Sequence, residues 1–454
     1  MSKSIEKIFS APSFALDNAV KSLKKIGKAT PGSGSFKKAH GYWNMLGPGL
    51  ITGAADDDPS GIATYSQAGA QYGFQLIWLA GLTFPLMSVV QEMCARIGLV
   101  TGRGLAGTIR INYPQKVLYV CTALLFIANT LNLGADFGAM AQAVELVFPG
   151  LNFYVLVIFF GVLCLLLQVY TSYEQYAKYL KWMALVLLSY VFSALLISID
   201  ARELLKATFI PSMTFSRDQI FLITAILGTT ISPYLFFWQT SQEIEEEILK
   251  GKTSVKLREG ATKDEISHMR IDVWSGMFIS NMVMFFIIAA CAATLYSNGI
   301  YSVTSAADAA LALKPIAGEF TFILFAIGIV GAGLLAVPVL AGSAAYTFAE
   351  TFNWKSGLYR KLTDAPAFYG VIIVSMVIGM AINFFGFDPI KVLIYSAVVN
   401  GLVAPVVLVL IVQIAGNKRI MGRHVNGWFT QSIGWLVVTI MTVAGIATIW
   451  SMFF

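Results

Sequence analysis

The residues with the greatest chemical potential are three consecutive carboxylates inside an apolar stretch. In Gly47-Pro48-Gly49-Leu50-Ile51-Thr52-Gly53-Ala54-Ala55-Asp56-Asp57-Asp58-Pro59-Ser60-Gly61-Ile62-Ala63-Thr64-Tyr65-Ser66, small and apolar residues flank the acids on both sides. Charge in the middle of a membrane span is costly and usually serves function. Pro59 has no amide hydrogen to continue a helix, and Gly61 tolerates backbone angles that other residues avoid. The helix is therefore expected to unwind near Asp58–Gly61. A break frees main-chain carbonyls and sets two half-helix ends beside a carboxylate, which together make a cation site at membrane depth. Ile226-Leu227-Gly228-Thr229-Thr230-Ile231-Ser232-Pro233-Tyr234-Leu235-Phe236-Phe237-Trp238-Gln239 repeats the device with a small polar residue before a proline, so Ile231–Pro233 is the second expected interruption. The competing readings are a simple proline kink, and an interfacial loop at Asp56–Asp58 if the first span ends earlier.

The elements that must position these residues are membrane helices. The chain has 454 residues, 57% of them hydrophobic and 12% charged, and a mean hydropathy of +0.71. Soluble domains carry about twice that charged fraction. Eleven segments reach the length of a helical span, about 20 residues: 46–68, 75–98, 115–148, 152–170, 179–199, 218–240, 271–296, 319–349, 366–387, 390–414 and 430–453. The two interruptions fall in spans 1 and 6. Matching breaks five spans apart point to an inverted repeat, with spans 1–5 (46–199) and 6–10 (218–414) as the halves and span 11 (430–453) added. The expected organisation is a basic cytoplasmic segment, 1–40, followed by one transmembrane domain, 41–454.

The loops set the orientation. Of 31 basic residues, 26 fall before span 1 or after even-numbered spans, including the eight lysines from Lys3 to Lys38. The positive-inside rule then puts the N-terminus in the cytoplasm and the C-terminus outside. Basic residues scattered over six segments read as topological determinants and contacts to anionic lipid, not as a nucleic-acid surface. The first 40 residues lack the apolar core and cleavage site of a signal peptide. Cys94, Cys121, Cys164 and Cys291 lie in apolar runs without CxxC spacing and read as buried small hydrophobes.

Other polar residues divide by depth. Asp136 is near the middle of span 3 and reads as functional lining, whereas Asp272, at the start of span 7, reads first as a cytoplasmic-end residue, with Asn281 further along. Glu92 and Arg96 are one turn apart and suited to pair. The run Glu243-Ile244-Glu245-Glu246-Glu247 reads as a solvated helix end. Trp43, Trp78, Trp182 and Trp428 lie near span ends and read as interfacial anchors. The spans offer no HExxH, no intramembrane histidine and no Ser–Lys pair, so an enzyme is not expected.

Asp58-Pro59-Ser60-Gly61, with Gln67-Ala68-Gly69-Ala70-Gln71-Tyr72-Gly73 after it, resembles the first helix of the Nramp divalent-metal transporters and its DPGN motif. Gln91 to Arg110 (QEMCARIGLVTGRGLAGTIR) is similar to their second helix and loop, and Asn417 to Gly422 (NKRIMG) to the end of their tenth. The resemblance implies an all-α membrane protein with a LeuT-type 5+5 inverted repeat and a metal site between the broken helices 1 and 6. Several motif residues differ. The Gly-Asn of the motif is Ser60-Gly61, and the helix-6 motif MPH is Ser232-Pro233-Tyr234. The second helix-6 histidine falls at Gln239. The acidic pair of helix 3 falls at Leu133 and Asp136. The helix-10 glutamine falls near Ala397, one turn from Asn400. Replacing thioether and imidazole by oxygen donors shifts preference from transition metals toward Mg²⁺ or Ca²⁺, so the chain resembles Nramp-related branches, including magnesium-transporting relatives, more than the classical manganese and iron carriers.

The expected function is transport of a divalent, hard cation such as Mg²⁺, with Mn²⁺ as a second candidate. Asp58 is the principal ligand, helped by Ala55, Ser60, Gly61, Ser232 and Tyr234. Asp56, Asp57, Asp136, Gln239, Asp272, Asn281 and Asn400 are candidates for a proton or polar pathway. No resident cofactor is expected, the metal being substrate, and the expected partners are the lipid bilayer and the cation, with no oligomer required. The expected location is a bacterial inner membrane. Weak or absent proton coupling follows from the sparse titratable groups. The alternatives are an ion-coupled symporter of a small organic solute, and a transport-inactive member of the family.

Overall fold

A computed structural model describes residues 46–171, 191–192, 200–314 and 318–453. The basic segment 1–40, Trp43, Trp182 and most of the fifth expected span lie outside the described residues. The other ten spans are helices: α1 (Pro48–Asp56) and α2 (Pro59–Tyr72) for span 1, then α3 (Trp78–Thr101), a short α4 (Leu105–Asn112), α5 (Gln115–Val147) and α6 (Phe153–Tyr170). After α7 (Ala201–Phe209) come α8 (Arg217–Thr230) and α9 (Pro233–Leu249) for span 6, then α10 (Lys263–Thr294), α11 (Thr321–Phe352), α12 (Pro366–Ile382), α13 (Pro389–Ala415) and α14 (Trp428–Phe453). This is an all-α membrane fold of the LeuT type, its two repeats each opening on a broken helix.

Both breaks are tighter than expected. The first unwinds at Asp57 and Asp58 alone, and Pro59, Ser60 and Gly61 already belong to the first turn of α2. The second unwinds at Ile231 and Ser232, with Pro233 opening α9. The cause is the proline: its fixed φ suits the first helical position, where its missing N–H would have no partner anyway. Proline alone does not break these helices. Pro85, Pro338 and Pro405 sit inside continuous α3, α11 and α13. Those three follow Phe84, Val337 and Ala404, whereas Pro59 and Pro233 follow Asp58 and Ser232, residue types that favour the N-cap.

The helices pack in two groups around the breaks. α10 runs along α1, α2 and α3, and α9 lies on α3, whereas α5 packs against α6, α11 and α12. α13 joins them, touching α5, α8 and α14. The α1–α10 contact is backbone on backbone. A Cβ on Gly53 would lie 2.3 Å from the Gly276 carbonyl oxygen, and one on Gly276 would lie 2.1 Å from that of Gly49. Asp272 extends the seam, its two oxygens accepting from Gly49 N at 2.7 Å and Leu50 N at 3.1 Å. A carboxylate there complements the positive end of α1.

The outer faces are apolar, as a bilayer requires. Val155, Phe159 and Val162 on α6, Val374 and Val377 on α12, and Val443 and Ile446 on α14 are all exposed. Among the described residues, eight helices are long and apolar enough to cross a membrane. The four cysteines are buried and unpaired.

The α1–α10 seam gives a stability prediction. Gly53→Val should destabilise by about 2 kcal/mol or more, because the obstacle is backbone, while Gly81→Ala, with nothing within 4 Å of the added Cβ, should be neutral or slightly stabilising. Thermal melts of the two purified variants check this; equal melting would show that the seam is not tight.

Candidate cation site

Asp58 is the centre of the site. It ends the first break in an extended conformation and caps α2, its Oδ1 accepting from Gly61 N at 2.7 Å and from the Ser60 hydroxyl at 2.6 Å. Its Oδ2 faces across the protein, where Asn132 of α5 donates to it at 2.7 Å and the Tyr234 hydroxyl approaches to 3.5 Å. The same hydroxyl donates to the Ala55 carbonyl at 2.9 Å. Tyr234 therefore stands between two oxygens, the Asp58 carboxylate and the Ala55 carbonyl. The second break adds Thr229, 3.4 Å from the Ser60 hydroxyl, and Thr230, 3.3 Å from that of Tyr65. Thus Asp58, Ser60, Gly61, Ala55 and Tyr234 converge. Ser232 lies in the second break, but its hydroxyl proton is directed to the Gly228 and Thr229 carbonyls, both 2.7 Å away.

The charge around Asp58 is one-sided. Asp56, Asp57, Asp58 and Asp136 are at most 1% exposed, and none has an ion-pair partner among the described residues. Asp56 accepts from Ser280 at 2.7 Å, but its second oxygen and both oxygens of Asp57 and of Asp136 have no hydrogen-bond partner there. Several uncompensated carboxylates cannot stay buried together, so protons or a cation must neutralise part of this charge. No group of three or more His, Cys, Asp or Glu among the described residues is arranged to hold a metal. A cation held here would rest on carboxylate, carbonyl and hydroxyl oxygens.

The missing asparagine has a steric counterpart. A Cβ at Gly61 would come within 3.2 Å of the Asp56 carbonyl and the Thr229 hydroxyl, and within 3.3 Å of the Tyr65 ring.

The remaining candidates lie apart from one another. Asp136 is one turn from Asn132 on α5. Asn400 is buried on α13, with neither amide atom hydrogen-bonded among the described residues. Gln239 donates to Glu243 at 2.8 Å further along α9. Asn281 accepts from Thr83 at 2.8 Å, and Asp272 caps α1. Glu92 pairs with Arg96 at 3.7 Å and with Arg270 at 2.8 Å.

The glutamate run is a correction. Glu243, Glu245 and Glu247 are buried instead of solvated. Glu245 accepts from the Tyr346 hydroxyl and from Leu358 N, and Glu247 pairs with Lys250 and Lys252. Hydrogen bonds that it donates to Glu247, and then to Glu265, hold the Lys252 ammonium above its ordinary pKa. The three acids do not share one face of α9: Glu245 meets Tyr346 of α11 and the Leu358 amide, whereas Glu243 and Glu247, one turn apart on another side, are met by Gln239 and by Lys250 and Lys252.

Sequence reasoning passed over Asn132, Thr229, Ser280 and Ser396. Each is a small polar residue in an apolar helix, the one signal that could have marked it.

Comparison with known proteins gives the chain a family. The natural resistance-associated macrophage protein-like family, Nramp, matches residues 49–451. The divalent metal cation transporter MntH of Pectobacterium carotovorum is 28% identical over 410 residues, spanning 88% of this chain and 92% of that protein. Among solved structures, the Eremococcus coleocola manganese transporter, in complex with an aromatic bis-isothiourea substituted compound, superposes with a TM-score of 0.72 at 16% identity, covering 93% of this chain and 89% of that one. A nucleobase-cation-symport-1 family transporter shares the fold at a TM-score of 0.57 and 14% identity, over 89% of this chain and 91% of that one. With its broken helices, its buried Asp58 and a family match over nearly its whole length, the chain belongs to the Nramp family of membrane transporters, not to an enzyme family.

Proposed function

We propose that this protein carries a divalent cation across the membrane, with the ion held at Asp58 between the two helix breaks. The observation that carries the reading is Asp58 itself: a buried carboxylate at a helix break, with one oxygen turned toward the second broken helix. Asp58, the Ala55 carbonyl and the Ser60, Tyr234 and Thr229 hydroxyls supply the oxygens, and Gly61 leaves room for them. Oxygen donors favour Mg²⁺, with Mn²⁺ also accepted. The manganese transporter and MntH likenesses keep Mn²⁺ in the panel. The excess of basic residues in alternate loops supports a cytoplasmic N-terminus and an external C-terminus, and the likeness to a bacterial MntH supports a bacterial inner membrane.

Coupling to protons is proposed to be weak. At the positions where the family's titratable groups would fall stand Leu133, Tyr234 and Gln239. Asp136 remains, and no titratable acceptor is hydrogen-bonded to it among the described residues. Protonation of Asp58 instead competes with the cation at one place.

Three outcomes test these statements. Asp58→Asn should abolish radiotracer uptake of Mg²⁺ and Mn²⁺ into proteoliposomes while the protein stays folded; wild-type uptake would move the site to Asp56 or Asp57. The panel includes Ca²⁺ and amino acids, because the fold is shared with a nucleobase–cation symporter, and amino-acid uptake without cation uptake would overturn the substrate class. Gly61→Asn should lower uptake instead of restoring a family ligand, since its Cβ meets backbone and ring atoms; faster Mn²⁺ uptake would contradict the crowding argument. With a pH dye inside the vesicles, uptake should fall as the medium is acidified and should not load protons in fixed ratio. Substrate-driven acidification of fixed stoichiometry that persists in Asp136→Asn would sink the weak-coupling statement.

A further inference from the structure

We propose that Asn132 is a reversible cation ligand, its side-chain amide turning over between the empty and the loaded site, an inference that rests on the cation binding at Asp58. Asn132 is wholly buried on α5. Its Nδ2 donates to Asp58 Oδ2 at 2.7 Å, and its Oδ1 accepts from the Ser396 hydroxyl of α13 at 2.7 Å. The Ser396 hydroxyl also has the Leu393 carbonyl 2.7 Å away. It has one proton and two acceptors, so it can serve either.

That choice lets the amide turn without losing a hydrogen bond. In the present orientation Nδ2 satisfies the carboxylate, and Ser396 donates to Oδ1. After a half-turn of the amide, Nδ2 donates to the Ser396 oxygen and the hydroxyl proton goes to Leu393. Oδ1 then faces Asp58. The two ends of an amide are nearly equal in size, so the turn needs little space. The occupant of the site decides between them. A bare carboxylate attracts N–H, whereas a cation beside Asp58 Oδ2 repels N–H and attracts a carbonyl oxygen. An amide oxygen would thus reach the ion from across the site, although Gly61 on α2 has no side chain to offer one.

The test is cation binding by calorimetry on the purified full-length chain with Mg²⁺, Mn²⁺ and Cd²⁺. Asn132→Ala should weaken all three by about tenfold or more. Asn132→Cys offers a soft sulfur and should recover Cd²⁺ alone, raising the Cd²⁺ over Mg²⁺ preference by about tenfold. A residue that only positions Asp58 would leave that ratio at the wild-type value in both variants, and that result overturns the proposal. Should the α5 variants not fold, Ser396→Ala decides: it removes the partner that makes both orientations equivalent and should weaken binding several-fold, and unchanged affinity overturns the proposal. Asp58→Ala separates the two levels. If it binds cations like the wild type, the site reading itself fails; if it abolishes binding while Asn132→Ala is silent, only the amide proposal fails.

Discussion

Asp58 has to cap a helix and hold a charge at the same point, and the rest of the site is arranged around that double duty. Oδ1 is committed to the first turn of α2 through Gly61 N and Ser60. Only Oδ2 is turned toward Asn132 and Tyr234. The geometry follows from Pro59, which needs no hydrogen-bond acceptor behind it and so lets α1 end at Asp56. It also requires α1 to stay in place without continuous connection to α2. The glycine seam against α10 and the Asp272 cap provide that.

The cap creates an electrostatic conflict. The amide-rich start of α2 carries partial positive charge, which stabilises the Asp58 carboxylate but opposes a cation beside it. One carboxylate at a helix start is therefore a weak cation ligand. Two further carboxylates, Asp56 and Asp57, lie immediately before it with no basic partner among the described residues. Their field acts in the direction opposite to the helix end. To the extent that they are ionised, this gives a physical reason for three consecutive acids at one helix break.

The sequence disclosed what is local and hid what is not. Both breaks were readable because proline following an N-cap residue is a short-range signal, although its placement one turn too far into α2 shows that the proline begins the helix instead of lying in the gap. Pro85, Pro338 and Pro405 lack that signal and leave their helices continuous. The buried glutamates of α9 were misread because a run of acids looks solvated until the residues covering it, Tyr346 and Leu358, are brought in from about a hundred positions away. Asn132 is 74 positions from Asp58. In α5 it is one polar residue among several, and nothing local separates it from Asn129, which instead donates to the Leu340 carbonyl.

The Asp58–Asn132 hydrogen bond also spans the two groups of packed helices. Asp58 belongs to the half-helices lying on α10, whereas Asn132 stands on α5, which packs with α6, α11 and α12. Any relative movement of the groups must lengthen or rotate this contact, since packed helices move as units. A ligand shifts such a movement only by binding its end states unequally. Tyr234 adds to this, because its hydroxyl donates to the Ala55 carbonyl at 2.9 Å with Asp58 Oδ2 3.5 Å away, tying the first break to the second. A cation at the proposed site would compete for those two oxygens, exchanging the single hydroxyl proton they share for ion–oxygen contacts that are less demanding in angle. Were a cation bound as proposed, the loaded and empty sites would then hold the two helix groups by different contacts, and such an inequality is what carriage across a membrane needs.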